Sequence, residues 1–150
     1  MGNLNGTASG VIAAPLTDVW AVVQDTASAP EWQGGMDRMD VLERDAEGRP
    51  ELVETQTDAT VRTVKSRVRF TYEAPTRLTW EQVEGDLKSV VGSWELEDLG
   101  DGTTRATYSL DGDPGRMLGM LVRGPVEGQI RKLLVESRPG ELEARVAAAG

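Results

Sequence analysis

Between Gly85 and Pro114, apolar residues alternate on both sides of an Asp101-Gly102 dipeptide, and this pattern restricts the fold more than any other. Side chains alternate between the two faces of a strand. Val90, Gly92, Trp94 and Leu96 therefore share one face of a first strand, and Ala106, Tyr108 and Leu110 one face of a second. Asp-Gly supplies the positive φ angles of a tight turn. The segment predicts a wide antiparallel hairpin with its aromatics on one side. Some other part of the chain, or a ligand, has to cover Trp94 and Tyr108.

The alternation begins near Met36 and predicts a meander. Strands are expected near Met39–Arg44, Leu52–Ala59, Val61–Tyr72, Arg77–Glu84, Leu87–Glu97 and Thr103–Leu110. Turns are expected at Ala46-Glu47-Gly48, Ala74-Pro75, Gly85-Asp86 and Asp101-Gly102, while the break between the second and third strands is weakly marked. Ahead of the meander, Ala8–Ala14 reads as a strand. Leu16, Val19, Trp20 and Val23 follow at helical spacing, with Pro15 suited to the first turn. Ala29-Pro30-Glu31-Trp32 forms a second short helical segment, closed by Gly34-Gly35. After Pro114 the period turns helical through Met117, Leu121, Ile130, Leu134, Leu142 and Val146. Pro125 and Pro139 leave two arrangements open: one helix from Pro125 kinked at Pro139, or two helices.

At 150 residues and 39% hydrophobic content, the expectation is a single domain over 1–150. The absence of Cys and His removes thiolate and imidazole nucleophiles, bases and metal ligands, leaving carboxylates, Tyr, Lys, Arg and hydroxyls. A net charge of −9 disfavours nucleic acid as a partner. No apolar run approaches the roughly 20 residues of a bilayer span, and the start lacks a signal core, which points to a soluble, cytoplasmic protein. Gly6 stands where the myristoylation pattern needs Ser or Thr.

Two blocks carry a family likeness: Ile12-Ala13-Ala14-Pro15 with Val19-Trp20, Asp25 and Pro30-Glu31-Trp32, then Gly85-Asp86, Gly92-Ser93-Trp94-Glu95-Leu96-Glu97, Gly102-Thr103-Thr104 and Tyr108. In this order, from about Thr7 to Ala147, the chain resembles the SRPBCC/START-like superfamily, in its polyketide cyclase/dehydrase and lipid-transport branch. The resemblance implies an α+β helix-grip fold, START-like or Bet v 1-like. A curved antiparallel sheet of about seven strands would wrap around a long C-terminal helix, with two short helices after the first strand. It also implies a deep apolar cavity between sheet and helix, suited to a lipid, isoprenoid, sterol or polyketide. No cofactor and no metal is implied, and the assembly expected is a monomer or homodimer.

Alternation then selects the wall of that cavity. Ser66, Val68, Phe70 and Tyr72 share an inward face with Val64. Leu78, Trp80 and Gln82 continue it, followed by Val90 and Trp94, then Thr104 and Tyr108. Each of these is equally readable as plain core. Ser66, Gln82 and Thr104 are the inward polar groups expected to orient a ligand. The family placement adds Trp32 at one lip, and Met117, Met120 and Leu121 where the last helix crosses the mouth. Lys65, Arg67 and Arg69, with Lys88 beside them, read as a solvated convex face, and Asp37, Asp40, Asp98 and Asp101 as turn residues.

The leading functional expectation is a binding protein for a hydrophobic small molecule, as carrier or accessory biosynthetic protein. A polyketide aromatase/cyclase or dehydratase acting by positioning a reactive chain is the alternative, with Tyr72, Tyr108 or Arg62 polarising a carbonyl or moving a proton. A third reading is a partner-binding interaction module using an apolar groove.

Overall fold

The computed structural model describes residues 4–59, 62–116, 119 and 124–149. β1 (Leu4–Ile12) leads into α1 (Leu16–Gln24) and a 3-10 helix (Thr26–Glu31). Six strands follow: β2 (Met36–Arg44), β3 (Pro50–Asp58), β4 (Thr63–Glu73), β5 (Arg77–Gly85), β6 (Ser89–Asp98) and β7 (Thr104–Asp113). The chain ends in α2 (Pro125–Arg131), a π-helical turn (Lys132–Glu136) and α3 (Arg138–Ala149). The strands form one antiparallel sheet in the order β1-β7-β6-β5-β4-β3-β2, and the last helical run packs on β1, β7 and α1. This is the helix-grip arrangement, with a helix held in the hollow of a curved sheet.

The β6–β7 hairpin has the register its alternation predicts: Trp94 pairs with Tyr108, Leu96 with Ala106 and Gly92 with Leu110. Its turn is fixed by two carboxylates. Asp98 Oδ1 accepts from the Gly100 N–H at 2.8 Å, and Asp101 accepts from the Thr103 N–H and hydroxyl. Those Thr103 bonds hold the Asp101 carboxyl below its ordinary pKa.

β1 starts four residues earlier than its alternation suggests. Its inward face is Gly6, Ala8, Gly10 and Ile12, and the glycines hide the period. They are there because the terminal helix lies on the strand backbone. A Cβ at Gly6 would come within 3.1 Å of Val135 Cγ1, and one at Gly10 within 3.0 Å of Pro139 Cβ.

Both prolines sit where a missing N–H is harmless. Pro125 opens α2, and Pro139 is the second residue of α3, inside its first turn. Between them the π turn absorbs one extra residue, and the Ser137 N–H and hydroxyl both donate to the Lys132 carbonyl, at 3.1 and 2.8 Å. The run thus passes through Pro139 by widening the turn before it. Among the described residues, no helix is long and apolar enough to cross a membrane.

The hydrophobic core joins sheet and helices. Ile12, Val19, Val53, Trp94, Ala106, Leu142 and Val146 belong to it, and burial of such side chains contributes about 1.5–3 kcal/mol each for the larger ones. On the convex side Arg67 Nε lies 3.0 Å from Glu54, Arg69 lies 3.5 Å from Glu51, and Lys88 lies 3.9 Å from Asp113. These are solvated pairs, weak at such exposure, as expected for an outer face.

Candidate functional site

A cavity of about 140 Å³ lies between the concave face of the sheet, the 3-10 helix and the π turn. β4 contributes Ser66, Val68 and Phe70, β5 contributes Leu78 and Trp80, β6 contributes Val90 and Trp94, and β7 contributes Tyr108. Trp32, just past the 3-10 helix, closes one side. Alternation on four successive antiparallel strands brings these residues together, because paired strands keep the same faces aligned.

The aromatics form one chain of contacts. Trp32 lies 6.4 Å from Trp94 between ring centroids, Trp94 lies 4.8 Å from Tyr108, Tyr108 lies 5.5 Å from Trp80, and Trp80 lies 6.1 Å from Phe70. Tilted and edge-on geometries of this kind stabilise by about 0.5–1.5 kcal/mol per pair beyond burial. Trp80 rests directly on the backbone of β6: a Cβ at Gly92 would stand 2.3 Å from the indole.

Three of the buried hydroxyls in the wall, those of Thr26, Thr55 and Ser66, have committed their protons. Thr55 Oγ1 donates to the Ser66 carbonyl at 3.2 Å, and Ser66 Oγ donates to Gln82 Oε1 at 2.8 Å. Thr26 Oγ1 lies 2.8 Å from the Tyr72 hydroxyl, which itself donates to the Pro50 carbonyl, so Thr26 is the donor of that pair. What remains unpaired is nitrogen. Trp32 Nε1 and Arg138 Nε are both sealed from solvent and have no hydrogen-bond partner.

Arg138 is the cationic wall residue that sequence reasoning missed, as it missed Thr26 and Thr55. Only 2% exposed, it carries a charge into the apolar interior, with its guanidinium 5.8 Å from the centre of the Tyr108 ring. Its Nη1 donates to Glu141 Oε1 at 2.8 Å and to the Gly34 carbonyl at 2.9 Å, while Glu141 Oε2 accepts from the Gly34 N–H at 2.7 Å. The pair straps the Gly34-Gly35 loop to α3. A signal was present in the sequence: Arg138, Leu142 and Val146 follow one another at i, i+4 and form one buried helix stripe.

Four expected site residues fall elsewhere. Tyr72 is inward-facing but lies past the end of the cavity. Its hydroxyl is held by Thr26 and Pro50, and the Arg49 guanidinium lies 4.3 Å from its ring centre. Burial pushes its pKa up to about 12. Gln82 sits beside a β-bulge at Val83, where pairing jumps from Arg67–Glu84 to Val68–Gln82. Its amide bridges Ser66 and the Leu87 carbonyl, which ties the bulge to the following turn rather than lining the cavity. Arg62 is exposed in a bend before β4 and does not reach the interior. Thr104, fully buried, donates to the Ala14 carbonyl at 2.9 Å. Met117, Met120 and Leu121 lie outside the described residues.

The ionisable groups of the described wall are Asp25, which is exposed, Tyr108 and Arg138. Burial pushes the Tyr108 hydroxyl up from its ordinary pKa, and the Arg138 charge opposes that rise only in part. At neutral pH, Tyr108 is thus a hydrogen-bonding group and not a ready proton carrier.

The sequence family described as polyketide cyclase/dehydrase and lipid transport matches residues 12–137. A solved START superfamily protein from Mycobacterium smegmatis is similar in structure, with a TM-score of 0.82, 19% identity, and 97% of this chain and 99% of that one covered. A protein from Thermus thermophilus gives a TM-score of 0.83 at 22% identity, with 97% and 99% covered. The Zhui aromatase/cyclase of a Streptomyces species gives 0.74 at 17% identity, with 99% and 98% covered. Nothing among curated protein sequences matches the chain.

Proposed function

From the premise that this chain belongs to the polyketide cyclase/dehydrase and lipid transport family, we propose that it binds a hydrophobic small molecule between sheet and terminal helix. It would act as one ligand-binding domain, a carrier or an accessory biosynthetic protein. The observation that carries this reading is the wall itself: five linked aromatics, and three buried hydroxyls already bonded within the protein. Such a surface gains from excluding water and offers little to a polar solute.

Size narrows the ligand. A void near 150 Å³ lined by apolar side chains accepts about one benzene ring. The described cavity at about 140 Å³ therefore takes a single ring or a short branched chain as it stands. A lipid, isoprenoid or polyketide needs further wall to move, or leaves part of its length outside. Trp32, Trp80 and Trp94 line the cavity while Trp20 does not, so intrinsic fluorescence reports occupancy. Titration with ethylbenzene, a C10 isoprenoid alcohol and a medium-chain fatty acid should give a saturable, one-to-one change for at least one of them. A flat response to all, checked by calorimetry, defeats the proposal.

A catalytic reading, as aromatase/cyclase or dehydratase, is favoured by one feature: Tyr108 and Arg138 meet in the wall, where they can hold a carbonyl. Tyr72 and Arg62 do not reach that place. Catalysis here would come from positioning. An unchanged product profile after adding the protein to a synthase that releases a linear poly-β-ketone removes this reading for that substrate.

A further inference from the structure

We propose that Trp32 and Arg138 form a subsite for a neutral carbonyl oxygen, so that the ligand is an aryl or alkyl ketone with an apolar body. This rests on the cavity-binding reading above and specifies its ligand.

Two N–H groups are buried without a partner, Trp32 Nε1 and Arg138 Nε, and both belong to residues of the cavity wall. No buried side-chain acceptor among the described residues is left wholly unpaired. A buried donor left unmade is costly, and it favours a ligand bringing an acceptor over one bringing a donor. An alcohol would satisfy the nitrogens through its oxygen but must also find an acceptor for its own proton, a requirement that a ketone does not have.

Charge decides between a ketone and a carboxylate. Arg138 is already neutralised by Glu141, 2.8 Å away, and no second cation lines the described wall. A carboxylate would leave a net negative charge in an apolar cavity, which is strongly disfavoured, whereas a ketone leaves the pair balanced. The aromatic chain from Trp32 through Trp94 to Tyr108 runs beside both donors and gives the body of the ligand its surface. Both nitrogens are sealed by present packing. The oxygen gains access by a shift of the Trp32 indole, the half-buried member of the pair.

The test is a matched series of one-ring probes, small enough for the cavity, measured by calorimetry on the full chain: acetophenone, ethylbenzene and benzoate. Acetophenone is expected to bind roughly tenfold tighter than ethylbenzene, as one buried hydrogen bond supplies, and tighter than benzoate. Trp32→Phe and Arg138→Met should each bring the ratio of acetophenone to ethylbenzene affinity, measured on the same variant, down toward one. Trp32→Phe keeps the ring in place, so it reads the subsite even if Arg138→Met folds poorly. Equal binding of acetophenone and ethylbenzene by the unmodified chain overturns the subsite and leaves the apolar cavity standing. Tightest binding of benzoate overturns the neutral-carbonyl assignment, and so does a preference unchanged in Trp32→Phe. Failure of ethylbenzene and acetophenone alike overturns the cavity reading, and this inference falls with it.

Discussion

Gly92→Ala should destabilise this protein, although alanine is ordinarily the better strand residue. The added methyl carbon would stand 2.3, 2.4 and 2.4 Å from three atoms of the Trp80 indole, which lies across β6 opposite Gly92. Carbon atoms in favourable contact are about 3.5–4.0 Å apart, so the ring has to retreat by roughly 1 Å or more. Retreat strains the contacts to Phe70 and Tyr108, each worth about 0.5–1.5 kcal/mol, and overpacking of this kind costs about 1–3 kcal/mol in all. Against this stands a gain of about 0.5–1 kcal/mol from removing a strand glycine. The net loss is about 1–2 kcal/mol. With a urea slope near 2 kcal/mol/M, the midpoint should fall by about 0.5–1 M. The diagnostic measurement repeats the substitution in a Trp80→Ala background, where the methyl has nothing to strike. There the sign should reverse to neutral or stabilising, giving a coupling of about 2 kcal/mol. A coupling below about 0.5 kcal/mol would mean that the indole is not what makes Gly92 necessary.

Other perturbations test the remaining parts of the argument. Thr104→Val leaves the Ala14 carbonyl without its donor in a fully buried place, and should cost about 1 kcal/mol, seen as a fall of roughly 2–4 °C in Tm; no change in Tm would contradict the bond. Arg138→Met releases the Gly34-Gly35 loop and strands Glu141 half-paired, for a loss of about 2–4 kcal/mol in urea unfolding. Glu141→Gln added to it should recover part of that loss, and a single-variant cost under 1 kcal/mol would refute the strap. Both tyrosines have folded pKa values raised above the ordinary value near 10, Tyr72 to about 12. The protonated hydroxyls therefore contribute stability that is fully present below pH 10, and the Tyr72 share is lost as the pH rises through about 12. Absorbance at 295 nm should show no tyrosinate step near pH 10 while the fold persists, and such a step would count against the burial of these groups.

Period-two alternation is strongest where a strand carries large side chains inward, which is why β4, β6 and β7 and their wall residues were legible. It fails where the inward residues are glycines: at Gly6 and Gly10 the helix occupies the space that side chains would have marked. Alternation also gives face but not depth. Tyr72 shares its face with Phe70 and still lies beyond the cavity, because β4 runs past it toward Pro50 and Thr26. Gln82 was misplaced by a bulge, a local event with no signature in hydrophobic period. Arg138 was obscured by its neighbours: Glu136-Ser137-Arg138-Pro139-Gly140-Glu141 has the composition of a loop, and only the i, i+4 link to Leu142 and Val146 exposes the helix in it.

The π turn at Lys132–Glu136 sets the angular phase of everything after it. Each residue of an α-helix advances about 100° around the axis and about 1.5 Å along it. Deleting one residue from the turn would shorten the terminal segment by little more than a bond length. It would also swing the stripe of Arg138, Leu142 and Val146 by about 100°, carrying the guanidinium away from Tyr108 and Gly34 and presenting a different set of side chains to the cavity. A single-residue length change at this point would thus exchange one cavity lining for another while the sheet stayed as it is, which makes the turn a place where related chains can diverge in ligand without diverging in fold.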